Sequence, residues 1–373
     1  MKQNRPRRPR SRFFSSRRLA RLAPASPWDD ERLVRDELFS IERLEEHAAS
    51  LAAAQLITLQ PASRRPLRVR LSANEVVLLR AYRAIARAVD EDRPITPAAE
   101  WLLDNYHLVE AQIREIREDL PPGYYRQLPK LAGGPFAGYP RVFGIAWAFV
   151  AHTDSHFEPD TLVRFVRAYQ KVQPLTIGEL WAVAITLRIV LVENLRRAAQ
   201  RILSGRTARQ DADDIADRLL GVKGESADPG ALLDRYGEHT TLNLTFVVQL
   251  VQRLRDQDPA VTPSLEWLDE RLAAQATTVD AAVRDEHQRQ GASNVTVRNI
   301  ITSMRLISDL EWSDFFESVS LVDEALRAGS DFARMDFATR NLYRSGIEEL
   351  ARGSKHTELE IAHAALAAAR DGS

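Results

Sequence analysis

The chain has 373 residues, of which 45% are hydrophobic and 28% are charged, a composition typical of a folded globular protein. It contains no cysteine, which excludes disulfide frameworks, thiolate zinc sites and cysteine nucleophiles. The formal net charge is −1, but residues 1–22 carry nine basic side chains and no acidic one, which leaves 42 basic against 52 acidic residues in the rest. A mildly acidic body of this kind does not indicate nucleic acid as a partner.

The N-terminal arm, residues 1–25, is rich in arginine and serine, and its composition predicts disorder. Contact of residues 1–22 with anionic lipid is an alternative that stays open. No apolar segment follows the basic residues, so we expect no signal peptide. The most apolar stretches, Val142–Val150 and Leu180–Leu191, are too short or too interrupted to span a bilayer.

Apolar residues at helical spacing predict a succession of helices through the first half of the chain. The predicted segments are Pro27–Gln55, Ser72–Val89, Thr96–Ile116, Val142–Val150, Pro159–Tyr169 and Leu180–Ile202. Capping boxes, in which two side chains cover free backbone N–H groups, are expected at the start of three of them. These boxes pair Ser26 with Asp29, Ser72 with Glu75, and Thr176 with Glu179.

A polar, glycine-containing stretch, residues 204–238, interrupts this pattern and is predicted to be a linker with one short helix, Ala212–Leu220. Helical patterns then resume over 241–255, 262–274, 279–291, 299–308, 313–328, 336–353 and 357–370. The only alternating segment is Leu67–Leu71, which is too isolated to form a sheet. The sequence therefore predicts an all-α fold, a multi-helix bundle or array. We expect two helical domains, residues 26–203 and 239–373.

One cluster has the composition of a metal site. His152, Asp154 and His156 provide imidazole and carboxylate groups that bind zinc or iron. Alternate spacing brings three side chains to one side only in an extended segment, whereas here the cluster follows a helical pattern. A helix C-terminus, where a protonated histidine is favoured by the helix dipole, is therefore the preferred interpretation.

A second cluster, Asp211, Asp213 and Asp214, resembles the D-x-D sequence that holds a metal–nucleotide sugar in some glycosyltransferases. That sequence requires a strand end beside a nucleotide pocket, and no strand is predicted nearby. An acidic helical turn is favoured instead.

The charged face of the third helix carries four carboxylates, Glu110, Glu115, Glu118 and Asp119, interleaved with two arginines. Paired carboxylates can perform acid–base catalysis, but this spacing is typical of a solvated, ion-paired face. Five aromatic residues are candidates for stacking on sugar rings or for core packing. They are Trp101, Tyr106, Tyr124, Tyr125 and Tyr139. The glycines at 133, 134 and 138 lack a phosphate-loop motif, and we assign no catalytic, cofactor-binding or metal-binding residue.

Several long strings of this sequence resemble the N-terminal region of bacterial cyclic β-1,2-glucan synthases. They are ELFSIERLEEHAASLAAAQ (37–55), residues 98–132, GYPRVFGIAWAFVAHTDSHF (138–157), residues 167–199, residues 304–326 and residues 333–351. Together they cover well over a third of the chain, in the order that the family has them. The basic arm and the stretch around 204–237 show no family pattern.

The resemblance implies a segment of a very large inner-membrane enzyme that builds and closes a β-1,2-glucan from UDP-glucose. In that family the glycosyltransferase module, the membrane spans and a phosphorylase-like module follow this region, and UDP-glucose and a divalent metal belong to the transferase. We therefore expect no cofactor in this chain, and a position on the cytoplasmic side of the inner membrane. The family's glucan primer is protein-linked, which makes Tyr124 and Tyr125 conceivable acceptors, although no local motif marks them.

Two functions remain as hypotheses from the sequence. The first is a non-catalytic helical scaffold that docks on the glycosyltransferase module. The second is a stand-alone sugar- or metal-binding protein that uses residues 133–156 together with the Trp101–Tyr106 helix. Convergence of the two histidines and Asp154 in a cleft would favour the second hypothesis.

Overall fold

The computed structural model describes residues 27–28, 30–61, 66–222, 243–255 and 262–371, so the basic arm and much of the predicted linker lie outside it. The described residues form fifteen α-helices and two very short strands, which confirms the all-α prediction. The elements before the longest helix are α1 (Ile41–Ala54), β1 (Ile57–Thr58), α2 (Leu67–Asp90), α3 (Pro97–Asp104), α4 (Tyr106–Asp119), α5 (Pro122–Gln127), β2 (Lys130–Leu131), α6 (Arg141–His152) and α7 (Pro159–Gln170). The remaining helices are α8 (Ile177–Leu219), α9 (Leu244–Leu254), α10 (Thr262–Ala274), α11 (Val279–Asp309), α12 (Trp312–Val319), α13 (Leu321–Gly329), α14 (Phe337–Arg352) and α15 (Glu358–Asp371).

The central element is α8, a helix of 43 residues and about 65 Å in length. It begins with the predicted capping box, in which the Glu179 N–H donates to Thr176 Oγ1 and the Glu179 carboxylate accepts from the Thr176 N–H. Its first half is buried on all sides, because α2, α4 and α6 pack around it. The fold is thus a bundle assembled around one long helix.

The linker predicted over 204–238 is helical in its first part. Helix α8 continues without a break through Ser204 and Gly205 to Leu219, so there is no separate short helix over 212–220. Residues of the predicted C-terminal domain, including Ile300, Phe316 and Ile347, belong to the same hydrophobic core as the N-terminal helices. The chain leaves this core along the end of α8 and returns to it along α11.

Two smaller clusters of buried side chains lie apart from the main core, and one of them includes the end of α8. Ala212 and Ile215 of α8 pack against Phe246 of α9, and the opposite side of α9 packs on α10 and the start of α11. Several glycines, one proline and polar residues suggested a linker, but the apolar stripe from Ala208 to Leu219 is continuous at helical spacing. That stripe is what keeps the helix intact.

The first helix begins at Ile41, whereas the sequence predicted a start at Pro27; Ser26 and Asp29 lie outside the described residues. The backbone over 27–40 instead bonds to side chains of α8. Arg197 Nη2 donates to the Pro27 carbonyl at 2.6 Å, and Asn194 both accepts from the Val34 N–H and donates to its carbonyl. These side chains substitute for intrahelical partners, so local propensity does not decide the conformation here.

The segment Leu67–Leu71, which alternates like a strand, forms the first turns of α2, so Ser72 and Glu75 lie inside that helix and do not cap it. Leu67 and Leu71 are both buried, and their spacing of four residues places them on one helical face. The predicted start at Thr96 is confirmed, since its side chain accepts from the Ala99 N–H. Residues 132–140 form no helix, and the β2 strand just before them pairs antiparallel with β1.

No helix of the described residues combines the length and the apolar character that a bilayer crossing requires.

Candidate functional site

The structure does not gather the H-x-D-x-H cluster into a site. The His152 ring stacks on Phe39 at 4.0 Å, and its Nδ1 lies 2.8 Å from the Glu37 carbonyl oxygen. Asp154 is buried in another direction, while His156 is exposed. Within the described ranges, no three carboxylate or imidazole groups lie close enough to share a metal ion.

Asp154 instead ends helix α6 and fixes it to α11. Its Oδ1 accepts from Thr296 Oγ1 at 2.6 Å and lies 3.5 Å from Arg35 Nε. Burial raises the pKa of Asp154. Both Asp154 and Ser155 have positive φ angles, and the Ser155 carbonyl accepts from Ser303 Oγ. These contacts give the cluster a structural role in joining two helices.

The other sequence candidates lie on different parts of the fold. Asp213 lies on α8, where it accepts from Gln249 Nε2 at 2.8 Å, and no strand lies beside it. On α4, Glu115 forms an ion pair of 3.1 Å with Arg188 of α8. Arg117 on the same helix pairs with Glu75 of α2. These carboxylates therefore connect helices, as an ion-paired face would.

The aromatic candidates are also dispersed. Tyr106 stacks on Tyr82 at 4.3 Å, and burial raises its pKa to about 12. Tyr139 is buried and accepts from Trp28 Nε1. The Tyr124 hydroxyl donates to the Gly178 carbonyl, and burial raises the pKa of both Tyr124 and Tyr125. A raised pKa makes a phenol a weaker nucleophile at neutral pH, which does not favour these two residues as glucan acceptors.

Gly138, at the end of the glycine-rich segment, lines a cavity of about 340 Å³ together with Tyr125 and Lys130. Lys130 is buried and donates to the Leu128 carbonyl at 2.6 Å. The H-x-D-x-H residues and the Trp101–Tyr106 helix do not line this cavity. The three parts of the predicted sugar- or metal-binding region therefore do not combine into one pocket.

A further concave feature of the described residues was not anticipated. A cleft of about 760 Å³ lies between α8, α11 and the start of α9, and we call it the arginine cleft. Five arginines line it, three from α8, one from α11 and one from the segment before α1. They are Arg197, Arg201, Arg209, Arg289 and Arg32, and the last of these pairs with Asp30. The sequence signal was available, because residues 195–209 contain five arginines and no acidic residue.

A second cavity, of about 580 Å³, adjoins the arginine cleft and shares Arg209 with it. The Asp211, Asp213 and Asp214 cluster lines this second cavity together with Arg93. Positive and negative side chains alternate there, so the second cavity presents no uniform charge to a ligand. In the arginine cleft, by contrast, the arginines outnumber the two carboxylates, Glu31 and Glu286.

The first half of α8 holds a buried charge network in which Glu193 is the central anion. Arg70 Nε and Nη2, Arg196 Nη2 and Arg197 Nε all donate to its carboxylate at 2.8 to 2.9 Å. Burial raises the pKa of Glu193, but the hydrogen bonds and charges of these arginines outweigh it and hold the pKa at about 2. The network fixes α2 and the segment before α1 to α8, so it stabilises the bundle.

Helix α14 presents an apolar face outward. Leu342, Tyr343 and Leu350 are 74%, 51% and 61% exposed, and Gly346 lies among them. The spacing of four residues from 342 to 346 to 350 forms one stripe, which we call the α14 face. On the inner side of the same helix Arg344 is buried and bonds to Asp323. The helix is thus held firmly while its outer stripe is left without a partner in the described residues.

The comparisons with known proteins agree with the resemblance seen in the sequence. The chain is 40% identical over 348 residues to the cyclic beta-(1,2)-glucan synthase NdvB of Rhizobium meliloti (strain 1021). The match covers 93% of this chain but only 12% of that protein. No protein-family model matches the chain. The length and identity of the match, which includes nearly every helix described above, show that the chain is related to a segment of a cyclic β-(1,2)-glucan synthase.

Proposed function

We propose that this chain is a non-catalytic helical scaffold of a cyclic β-(1,2)-glucan synthase and docks on its glycosyltransferase module. The α14 face is the observation that carries this proposal. Nearly nine tenths of the related synthase lies outside the matched region, so a large partner surface belongs to the same protein. Exposed leucines on a helix held by buried ion pairs suit a permanent intramolecular interface.

The free energy gained by burial of the α14 face is large enough for a stable contact. Burial of one leucine side chain contributes about 1.5–3 kcal/mol, so Leu342 and Leu350 together supply a substantial part of a docking free energy. Arg344 on the inner side bonds to Asp323 at 2.6 Å, which holds α14 in one orientation and reduces the entropy cost of association. On this proposal UDP-glucose and the divalent metal bind the transferase module, and the segment lies on the cytoplasmic side of the inner membrane.

The test is association with the separately expressed transferase module, measured by calorimetry. We expect the wild-type chain to bind and the variant Leu342→Asp with Leu350→Asp to lose at least about tenfold in affinity. The matched control is Val69→Asp with Val76→Asp, since both valines are 68% exposed on one face of α2. Thermal unfolding of each variant shows whether it is folded. Equal loss in the two variants, or no binding by the wild type at micromolar concentration, would refute docking through the α14 face.

Contact of residues 1–22 with anionic lipid is a separate proposal, because that arm lies outside the described residues. Nine arginine and lysine residues would each contribute about 1 kcal/mol near a charged membrane surface. Deletion of residues 1–22 is expected to abolish sedimentation with phosphatidylglycerol vesicles. Unchanged sedimentation would remove the membrane contact and leave the docking proposal intact.

A further inference from the structure

The arginine cleft brings together several guanidinium groups that have no partner among the described residues. Arg201, Arg209 and Arg289 form no hydrogen bond or ion pair with any described residue, although all three line the cleft. Buried Arg141, by contrast, donates to Glu179 at 2.8 Å. The three unpaired guanidinium groups lie around one concavity, where a single ligand can reach them together.

The two carboxylates in the cleft are already engaged. Glu286 is buried and accepts from Thr245 Oγ1 at 2.7 Å and from Gln290 Nε2 at 2.8 Å. Glu31 is paired with Arg196, which lies in the Glu193 network. Neither carboxylate forms an ion pair with the three unmatched arginines, so positive charge in the cleft is left in excess.

The helical register explains why the arginines meet. Arg197, Arg201, Gly205 and Arg209 follow one another at intervals of four residues, which places them along one stripe of α8. Gly205 lies between Arg201 and Arg209 on this stripe, so no side chain separates the two arginines. Arg289 faces the stripe from α11 across the cleft.

The electrostatic effect of this arrangement is visible in the pKa values. Burial lowers the pKa of Arg201, and the nearby charges of Arg289 and Arg197 lower it further. Burial also lowers the pKa of Arg209, although Glu286 and Asp213 act in the opposite direction. Arginine remains charged under all ordinary conditions, so the cations of the unbound cleft repel one another. A bound anion would reduce this repulsion.

We propose that the arginine cleft binds a soluble ligand through a phosphate or diphosphate group. A guanidinium presents a planar fork of donors that matches the oxygens of phosphate, and several forks suit a group with more than one negative charge. The cleft also exposes amide and hydroxyl side chains, among them Gln200, Asn243 and Asn294, which can bond to the remainder of a phosphate ester. Its volume of about 760 Å³ exceeds what inorganic phosphate needs and fits an organic ester.

This inference does not depend on the docking proposal, because the cleft and the α14 face are formed by different helices. A ligand here would bridge α8 and α11, the two helices by which the chain leaves and re-enters the main core. Binding is therefore expected to stabilise the end of α8 and the α9–α11 clusters against local unfolding. Hydrogen exchange of amides over 205–219 provides a readout that a nonspecific surface ion would not change.

The experiment is calorimetric titration of the chain with pyrophosphate, glucose 1-phosphate and uridine diphosphate, and separately with phosphatidylglycerol vesicles. We expect saturable binding of at least one soluble phosphate and slower exchange over 205–219 when it is bound. The double variant Arg201→Gln with Arg209→Gln is expected to bind about tenfold or more weakly, since each hydrogen bond to a charged group contributes about 1.5–3 kcal/mol. Affinity should also fall as the salt concentration rises.

The matched control is Arg114→Gln with Arg284→Gln, which removes the same charge from exposed arginines that form no ion pair with a described residue and do not line the cleft. Its affinity is expected to equal that of the wild type. Arg209→Lys keeps the charge but loses the fork, so partial loss in that variant supports specific phosphate recognition. The proposal is overturned if no soluble phosphate binds, if only vesicles bind, or if control and cleft variants weaken binding equally.

Discussion

Substitution Glu193→Gln tests the buried charge network directly. The side chain of Glu193 is fully buried on α8 and accepts from Arg70, Arg196 and Arg197, while glutamine has nearly the same shape and leaves no cavity. The variant therefore removes one negative charge from among three cations and changes little else. Breaking a buried ion pair by removal of one partner typically costs about 3–5 kcal/mol.

The pKa of Glu193 gives an independent magnitude and a pH dependence. It is lowered from 4.5 to about 2, and each pH unit is worth about 1.4 kcal/mol, so the ionised form contributes about 3 kcal/mol to stability. Because the pKa of the folded chain is the lower one, this contribution is complete above about pH 4.5. It is lost as the pH falls from 4.5 towards 2.

The assay is urea unfolding of wild type and variant at pH 7, 5, 4 and 3.5. We expect Glu193→Gln to lower the free energy of unfolding by about 3 kcal/mol at pH 7 and by about 1 kcal/mol less than that at pH 3.5. Glu118→Gln on α4 is the control, since Glu118 is exposed and forms no ion pair with a described residue. The reasoning is refuted if the two variants are equally stable at pH 7, or if the deficit of Glu193→Gln stays constant down to pH 3.5.

Two further predictions concern the C-terminal helices and are measured by the same unfolding assay. Gly291→Ala in the exposed middle of α11 should stabilise the chain by up to about 1 kcal/mol, because no atom lies within 4 Å of the added Cβ. Gly329→Ala should destabilise the chain, because its Cβ would lie 2.8 Å from Leu366. The opposite order would contradict the packing of α13 against α15. The carboxylate of Glu358 accepts from the Ile177 N–H, and burial raises its pKa to about 7. The folded chain therefore binds the carboxyl proton more tightly than the unfolded chain does. Stability is lost as the pH rises from about 4.5 through 7. Glu358→Gln keeps the acceptor and should raise the free energy of unfolding by up to about 3 kcal/mol at pH 8 with no gain at pH 4. A gain independent of pH would contradict this assignment.

The sequence predicted those helices whose ends are determined locally. Thr96 and the box of Thr176 with Glu179 cap the helices that they were expected to cap. The box of Thr357 with Glu360 forms as well, since the Thr357 N–H donates to the Glu360 carboxylate and the Glu360 N–H donates to Thr357 Oγ1. Caps act over three residues, so no knowledge of the rest of the fold is needed to predict them.

The predictions failed where distant side chains decide the backbone. Residues 27–40 show helical spacing, yet Asn194 and Arg197, more than 150 positions away, provide the partners of this backbone. The continuation of α8 past Gly205 depends on α9 packing against Ala212. The arginine cleft also forms only when α8 and α11 come together, although the arginine run on α8 could have been noticed.

Arginines of α8 have two different roles, one structural and one in the proposed ligand binding, and burial explains the difference. Arg197 is only 2% exposed, and a cation so far from water is tolerated because Glu193 and two backbone carbonyls accept from it. Arg201, one turn further, remains partly solvated, so water can replace a protein partner at modest cost. A matched and buried arginine has no capacity left for a ligand, whereas an unmatched one at the edge of solvent retains all its donors. Binding capacity on α8 therefore begins where burial ends, and this is the point at which the arginine cleft opens.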